Sequence, residues 1–220
     1  MVNRDNVKEI IKRALEENRF PTEAECRVVL KEYNIPVLDY GVAHSENEAL
    51  EIAKKFGYPV VLKMLNAKGL HKSEVNGVRL DVRSDDEVIK HFNELKSEWG
   101  VLISPMVRGL ELFVGAFQDE QFGVVLSFGT GGKYVEVYKD VSFRIAPFDE
   151  REAIKMIDET KVSKILRGYR EKPKNLNAIV DLLLKLSNLM LENQEIKEID
   201  LNPTFAFDDR IAVADARFIL

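Results

Sequence analysis

The chain has 220 residues, of which 45% are apolar and 31% are charged, and 32 Lys and Arg stand against 37 Asp and Glu, for a formal charge of −5. This composition excludes disordered, collagen-like and coiled-coil proteins, and the acidic balance argues against broad neutralisation of a nucleic-acid backbone. A local anion pocket remains open. Cys26 is the single cysteine, so an intramolecular disulfide is excluded and a reducing cytoplasm is expected. No apolar run reaches the roughly 18 residues of a membrane span and no leader is visible, so neither secretion nor membrane insertion is expected.

The first half of the chain predicts four helices. Apolar residues recur at helical spacing between Val2 and Asn18. Each of the other three helices begins with a capping box, in which Ser or Thr is followed three residues later by Glu. The three boxes are Thr22 with Glu25, Ser45 with Glu48, and Ser84 with Glu87.

Strands are predicted between and after these helices. Tyr58–Lys63 is a short apolar run, and Val78–Val82 alternates with period two. A β-meander is expected from the later β-rich runs Val101–Ile103, Glu111–Phe117, Val124–Phe128 and Tyr134–Tyr138. Helical periodicity returns at Glu150–Ile157 and Leu176–Leu191, and a hairpin around Asp208 and Asp209 is expected to join Ile196–Asn202 to Ile211–Ala216. The mixed order of helices and strands predicts an α+β fold.

Two common nucleotide-binding motifs are absent from the glycine-rich segment Gly129–Gly132. A Walker loop requires a glycine where Ser127 stands and a Ser or Thr where Tyr134 stands. A dinucleotide fingerprint also requires a glycine at Tyr134. Any nucleotide must therefore be held in another way.

Lys63 is the first candidate for such a role, because it closes a buried apolar strand. Its stem could stay packed while its ammonium projects into a cleft and holds a phosphate. The alternative is an ordinary lysine that reaches solvent at the end of a strand.

The loop 67–77 follows this strand and contains His71, Lys72 and Ser73. Its backbone N–H groups could cradle phosphate oxygens, with Lys72 and Ser73 as candidate nucleotide ligands. An imidazole at His71 could act as acid, base or phosphoryl acceptor. A solvated hairpin loop is the alternative.

Asp200, Asn202 and Asp215 form a third candidate cluster. Asp200 and Asn202 share one face of a strand, and a hairpin turning at Asp208 and Asp209 sets Asn202 opposite Asp215. Oxygen ligands that converge in this way suit Mg²⁺. The same register sets Asp200 opposite Arg217, so a cross-strand ion pair is the alternative.

Taken together, these motifs resemble the ATP-grasp superfamily, and most closely the β-subunit of ADP-forming acyl-CoA synthetases, which are related to succinyl-CoA synthetase. The resemblance covers nearly the whole chain. It rests on six stretches, at 33–37, 57–63, 71–78, 123–132, 136–141 and 198–203 with 213–217. It implies an ATP-grasp fold in which two α/β lobes close over a nucleotide.

The resemblance also implies a role for particular residues. Lys63 matches the lysine that holds ATP phosphates, and 104–111 matches the linker between the lobes. Adenine is expected near the backbone of Met106 and Val107, and the ribose hydroxyls at Glu111. Asn202 and Asp215 match Mg²⁺ ligands, with Asp200 at the position of a further ligand carboxylate. His71 matches a histidine that carries the phosphoryl group, although Glu74 and Asn76 depart from the usual pattern of its loop.

The resulting expectation is an ATP/ADP- and Mg²⁺-binding β-subunit that works with a separate α-subunit carrying CoA-binding and phosphohistidine domains, as an α2β2 hetero-oligomer. The domains expected are an N-terminal helix and connector at 1–20, a first lobe at 21–103, and a hinge with a second lobe at 104–220. Two alternatives stay open: a self-sufficient ATP-grasp carboxylate ligase, and a non-catalytic nucleotide-sensing subunit.

Overall fold

The computed structural model describes residues 4–68, 77–132 and 139–220, which form two antiparallel sheets with helices packed against them. The smaller sheet has four strands in the order β1-β4-β2-β3. These strands are β1 (Gly41–Ala43), β2 (Val60–Met64), β3 (Val78–Val82) and β4 (Val101–Pro105). Its core is closed by α3 (Glu46–Phe56) and α4 (Asp85–Leu95), which contribute Ala49, Val88 and Phe92.

The larger sheet has six strands in the order β10-β8-β5-β6-β7, with β9 paired to β8. Its strands are β5 (Leu110–Asp119), β6 (Gly123–Thr130), β7 (Val141–Ile145), β8 (Glu198–Ala206), β9 (Ile211–Val213) and β10 (Arg217–Ile219). The helices that follow β7 are α5 (Glu150–Asp158), α6 (Ser163–Leu166) and α7 (Leu176–Glu192). The mixed architecture confirms the predicted α+β fold.

The predicted helix starts are confirmed in the first part of the chain. α1 spans Arg4–Glu16, and α2 spans Glu23–Glu32 with both halves of the capping box formed at its N-terminus. Ser45 and Ser84 likewise accept hydrogen bonds from the backbone N–H groups of Glu48 and Glu87. Each bond satisfies a backbone donor that has no partner within the first helical turn.

Both N-terminal helices pack with the larger sheet, although the smaller sheet follows them in the chain. Val7, Ile11, Leu30 and Ile35 belong to the same buried cluster as the strands β5, β6 and β8. The separate cluster of the smaller sheet begins at Ala43. The division into 1–20, 21–103 and 104–220 stays a prediction, and this packing favours grouping α2 with the larger sheet.

The C-terminal hairpin has the register that the turn at Asp208 and Asp209 predicts. Thr204 lies opposite Val213 in the β8–β9 pair, and Asp200 lies opposite Arg217 in the β8–β10 pair. The expected meander is present only as β5, β6 and β7, of which β7 is not among the strands that the sequence predicts. Including Val101–Ile103 in the meander is wrong, because these residues form β4 and pair with β1 and β2 in the smaller sheet. The strand predicted at 134–138 lies outside the described residues. Across the described ranges, no helix is long and apolar enough to cross a membrane.

Candidate functional site

Lys63 lies on β2 and faces away from the core of the smaller sheet. Val60 and Leu62, which alternate with it along the strand, are buried in the cluster beneath α3 and α4. Because successive side chains of a strand point to opposite faces, Lys63 projects towards the larger sheet. It is only 6% exposed there.

Three acceptors among the described residues surround the Lys63 ammonium. Its Nζ lies 2.7 Å from the carbonyl oxygen of Ala214, 3.0 Å from Oε1 of Glu23 and 3.3 Å from Oδ2 of Asp215. Ala214 and Asp215 lie between β9 and β10, so the ammonium joins the two sheets. Protein acceptors hold this lysine, which sets aside the alternative of a side chain that reaches solvent.

Glu23 and Arg27 of α2 belong to this buried group of charges, and neither is among the candidates that the sequence predicts. Arg27 donates to Glu23 Oε1 from Nε at 3.0 Å and from Nη2 at 2.6 Å. The same guanidinium donates to the carbonyl oxygens of Leu38 at 3.1 Å and Ala214 at 2.5 Å. The ring of Tyr40 lies 5.0 Å from its Cζ, and burial raises the pKa of the Tyr40 hydroxyl although the Arg27 charge opposes that rise.

A signal for this pair is present in the sequence of α2. Glu23 and Arg27 are four residues apart, so they lie on one helix face. That face borders the apolar stripe of Cys26, Val29 and Leu30. Charged residues of opposite sign beside a buried stripe favour an internal ion pair.

The hairpin brings the predicted metal ligands to one place. The β8–β9 and β8–β10 pairs have the same register, which sets Asn202 opposite Asp215. The N–H of Ala214 donates to the carbonyl oxygen of Pro203 at 3.0 Å, in agreement with this register. Asp200 lies two residues before Asn202, on the same strand face. Its carboxylate is 3.9 Å from Arg217, so the cross-strand ion pair considered as the alternative is also present.

The oxygen atoms of this group fit a hard cation such as Mg²⁺. Asp215 and Asp200 supply carboxylates whose side chains are 27% and 22% exposed, and Asn202 supplies an amide oxygen. Within the described parts of the chain, no three His, Cys, Asp or Glu side chains group as a metal site. Mg²⁺ commonly takes one or two carboxylates and completes its shell with water and substrate phosphates, so this donor set is sufficient.

Glu111 lies at the end of the linker, beside the second glycine of the Gly131-Gly132 pair. The N–H of Gly131 donates to the Glu111 carbonyl oxygen at 2.9 Å, and the N–H of Gly132 donates to Asn202 Oδ1 at 3.0 Å. A Cβ on Gly132 would overlap the Glu111 carboxylate, and one on Gly131 would overlap the backbone of Leu112. The glycines therefore allow the candidate ribose and metal ligands to approach each other.

The other two candidate residues of the linker, Met106 and Val107, lie where the sheets meet. The Met106 N–H donates to the carbonyl oxygen of Pro59 at 3.1 Å, which ties the linker to the start of β2. Val107 packs on a small cluster that contains Leu38 and Ala214. The structure thus brings Lys63, Asn202 and Asp215 into one region, with Glu111, Met106 and Val107 around it. His71, Lys72 and Ser73 lie outside the described residues, as do Glu74 and Asn76.

Two clefts differ in their relation to these side chains. One of about 530 Å³ lies on the open face of the larger sheet and is lined by Asp200, Ser127 and Phe143. A larger one of about 1200 Å³ is lined by Met64, Lys68 and Trp99. Met64 points to the opposite face of β2 from Lys63, so the larger cleft does not contain the group of charges around Lys63.

Comparison with known sequences places the chain among nucleotide-binding proteins. The ATP-grasp domain family matches residues 13–220. The chain is 43% identical to the β subunit of ADP-forming acetate–CoA ligase I of Pyrococcus furiosus, over 97% of both chains. It is 46% identical, over its whole length, to the ADP-forming acetate–CoA ligase I of Archaeoglobus fulgidus, of which it spans 34%.

Solved structures give the same result. The dinucleotide-forming acetyl-coenzyme A synthetase 1 of Ca. Korarchaeum cryptofilum, bound to coenzyme A, Ca-AMPCP and HgCl⁺, matches with a TM-score of 0.90 and 38% identity, over 97% of this chain and 99% of that one. A second structure of that enzyme holds coenzyme A and Mg-AMPPCP, with its phosphohistidine segment pointing towards the nucleotide site, and matches over the same shares with a TM-score of 0.85 and 38% identity. The chain therefore belongs to the ATP-grasp family and, within it, to the β subunits of ADP-forming acetate–CoA ligases.

Proposed function

We propose that this chain is the nucleotide-binding β subunit of an ADP-forming acyl-CoA synthetase and transfers a phosphoryl group between phosphohistidine and ADP or ATP. The complete reaction converts acyl-CoA, ADP and phosphate into carboxylate, CoA and ATP. One observation carries the proposal: Lys63, on one sheet, contacts Asp215, at the edge of the other, where Asn202 faces it. A cation from one lobe and oxygen ligands from the other are the groups that would bind a nucleotide polyphosphate and its Mg²⁺.

Different residues of the described chain bind different parts of the nucleotide. Lys63 neutralises phosphate charge, and Glu111 accepts hydrogen bonds from the ribose hydroxyls. The backbone of Met106 and Val107 borders the adenine. Asn202 and Asp215, with Asp200 beside them, would hold Mg²⁺, which when bound neutralises and orients the phosphates.

The chemical step requires little covalent work from the protein. In the ATP-forming direction, an oxygen of the ADP β-phosphate bonds to phosphorus while the P–N bond to the imidazole breaks and its nitrogen keeps the electron pair. Positioning and countercharge dominate such a transfer, and Lys63 supplies part of both. His71 is the residue of this chain that we propose to carry the phosphoryl group between the partner and the nucleotide. Lys72 and Ser73 would contact the phosphates from the same loop.

The partner is proposed to be a separate α subunit that carries the CoA-binding and phosphohistidine domains, in an α2β2 assembly. The Archaeoglobus fulgidus relative, of which this chain spans 34%, supports the need for further domains. Cys26, the single cysteine, has a buried thiol, which is compatible with the cytoplasm, where we place the enzyme.

Calorimetric titration tests the nucleotide site directly. The chain is titrated with ADP and ATP, with and without Mg²⁺, beside Lys63→Ala and Asp215→Ala. We expect metal-dependent binding that weakens in both variants, because each removes one charge from the phosphate site. The exposed pair Lys54 and Asp85, substituted by Ala in the same way, is the matched control. Metal-independent binding, or equal losses in the control variants, would contradict the assignment.

Reconstitution tests the complete reaction. The chain is mixed with the α subunit from the same genome, and ATP formation from acetyl-CoA, ADP and phosphate is measured. We expect turnover only when both subunits are present, and none with His71→Ala. Turnover by this chain alone would instead support a self-sufficient ligase.

A further inference from the structure

We propose that Glu23 is a positioning residue that aims the Lys63 ammonium at the nucleotide phosphates, while Arg27 holds the Glu23 carboxylate in place. This inference rests on the proposed function, because it takes Lys63 as the cation that binds phosphate. It adds residues of α2, which precedes both sheets in the chain, to the nucleotide site.

The contacts connect three separate parts of the fold. Glu23 Oε1 accepts from Lys63 Nζ at 3.0 Å and from Arg27 at 2.6 and 3.0 Å. α2 is packed in the core of the larger sheet, whereas Lys63 belongs to the smaller sheet. Arg27 and Lys63 also share the carbonyl oxygen of Ala214 as an acceptor. The position of the ammonium is thus defined by α2 and by the residue next to Asp215.

Burial separates the acceptors of Lys63 into fixed and exchangeable ones. The side chains of Arg27 and Glu23 are 0% and 1% exposed, so Glu23 has no access to a nucleotide. Asp215 is the most exposed carboxylate of the group and makes the longest contact with Lys63, at 3.3 Å. When the Asp215 carboxylate binds a metal ion instead of Lys63, the Lys63 N–H group that faces it becomes available to phosphate. Glu23 and Ala214 then keep the other donors in place.

Such positioning matters because lysine has a long and flexible side chain. An ammonium on four rotatable bonds loses much rotamer freedom when it binds a ligand. Lys63 has already lost that freedom in the ligand-free chain, because Glu23 and Ala214 hold it. Pre-organisation of this kind increases affinity without any additional contact to the ligand.

A double-mutant cycle on the full chain tests this role. The affinity for ADP in the presence of Mg²⁺ is measured by calorimetry for the wild type, Glu23→Gln, Lys63→Met and the double variant. We expect Glu23→Gln to weaken binding by about 10-fold, the low end of the effect of residues that orient a ligand-binding group. In the Lys63→Met background the same substitution should change affinity less than 2-fold, because the side chain through which it acts is gone.

Two variants separate positioning from a structural role. Glu23→Ala removes the acceptor oxygen that Glu23→Gln keeps, so the Gln variant should retain more affinity than the Ala variant while Lys63 is present. Glu192→Gln, which alters the remote pair with Arg4, is the matched control and should leave affinity unchanged. Equal losses from Glu23→Gln with and without Lys63 would overturn the inference. If Lys63→Met itself binds ADP normally, the failure lies in the proposed function.

A measurement on the wild-type chain does not depend on whether the variants fold. Nuclear magnetic resonance can detect scalar coupling across the hydrogen bond between Lys63 ¹⁵Nζ and the ¹³C carboxylate of Glu23. We expect the coupling in the ligand-free chain and after saturation with ADP and Mg²⁺. Loss of the coupling when ADP binds would show that Lys63 leaves Glu23 to reach the phosphate, and would overturn the positioning role.

Discussion

Arg27 donates two hydrogen bonds to a single carboxylate oxygen of Glu23, and both side chains are almost completely excluded from solvent. The same guanidinium also donates hydrogen bonds to the carbonyl oxygens of Leu38 and Ala214. The Arg27 side chain therefore fixes two segments relative to α2. One is the connection between α2 and β1, and the other is the segment between β9 and β10.

Loss of Arg27 should strongly destabilise the fold. Arg27→Met removes one partner of a buried ion pair and leaves two buried carbonyl oxygens without this donor, so we expect the free energy of unfolding to fall by about 3–5 kcal/mol. Denaturation with urea measures the change. The exposed pair of Arg83 with Asp81 is the control, and Arg83→Met should cost at most about 1 kcal/mol. Similar losses in the two variants would show that burial of Arg27 contributes nothing.

The acid stability of the chain should depend on Glu25 at the start of α2. Burial would raise the pKa of its carboxyl, but hydrogen bonds from Arg19, the Thr22 N–H and Arg13 lower it from 4.5 to about 2. The ionised carboxylate therefore stabilises the fold above about pH 4.5, and this contribution is lost as the pH falls towards 2. Glu25→Gln should lower stability at pH 7 and flatten its decline between those pH values. Thermal unfolding from pH 7 to 2 measures both effects, with Glu9→Gln on the exposed face of α1 as control. An unchanged decline in Glu25→Gln would rule out this carboxylate as its source.

The two faces of the larger sheet should respond differently to loss of an aromatic ring. Phe128 is fully buried in the large cluster, whereas Phe143, on the neighbouring strand, is 54% exposed on the other face. Phe128→Ala should cost about 3–5 kcal/mol because it leaves a cavity, and Phe143→Ala about 1 kcal/mol or less. Chemical denaturation compares them. A large loss for Phe143→Ala would mean that the open face is covered in solution.

The requirement for Mg²⁺ should change with Asp215. Asp215→Asn keeps an oxygen at the same place but removes the charge that a hard cation prefers. We expect the Mg²⁺ concentration for half-maximal ADP binding to rise by about 10-fold or more, as losses at metal sites commonly do. Calorimetry at graded Mg²⁺ concentrations measures the shift. Asp181→Asn, which alters an exposed pair with Lys185 on α7, should leave it unchanged. An unaltered Mg²⁺ dependence in Asp215→Asn would remove this residue from the metal site.

Local chemistry made several features of this fold predictable. The side-chain caps that Thr22, Ser45 and Ser84 form at the starts of α2, α3 and α4 depend on contacts within four residues, so they could be identified without tertiary information. The reciprocal half of the capping box is formed only at α2, because Glu48 and Glu87 accept from the N–H groups of His44 and Arg83 instead. The register of the C-terminal hairpin follows from the position of its turn, and the pairing of Asp200 with Arg217 confirms it. In contrast, β1 has three residues and β10 also has three, which is too short for a period to be recognised.

The part of the site that could not be predicted depends on contacts across long sequence separations. Lys63 is 40 positions from Glu23 and 151 from Ala214, and no local pattern relates these residues. The sequence nevertheless identified Lys63, Asp200, Asn202 and Asp215 as candidates, because each lies at a strand end or in a hairpin with a defined register. Their roles as ligands stay predictions.

The packing of α1 and α2 with the larger sheet has a consequence for the order of folding. Among the described residues, the buried cluster of the smaller sheet lies within 43–103, so on a growing chain it can close as soon as β4 has emerged. The helices at 4–32 are synthesised earlier, but they cannot complete their contacts at that stage. Arg27 can bind its Ala214 acceptor only after a further 187 residues have been added. Loop-closure entropy makes such late contacts slow to form. The proposed nucleotide site depends on this contact between the two ends of the chain, so we expect it to be among the last parts of the molecule to form.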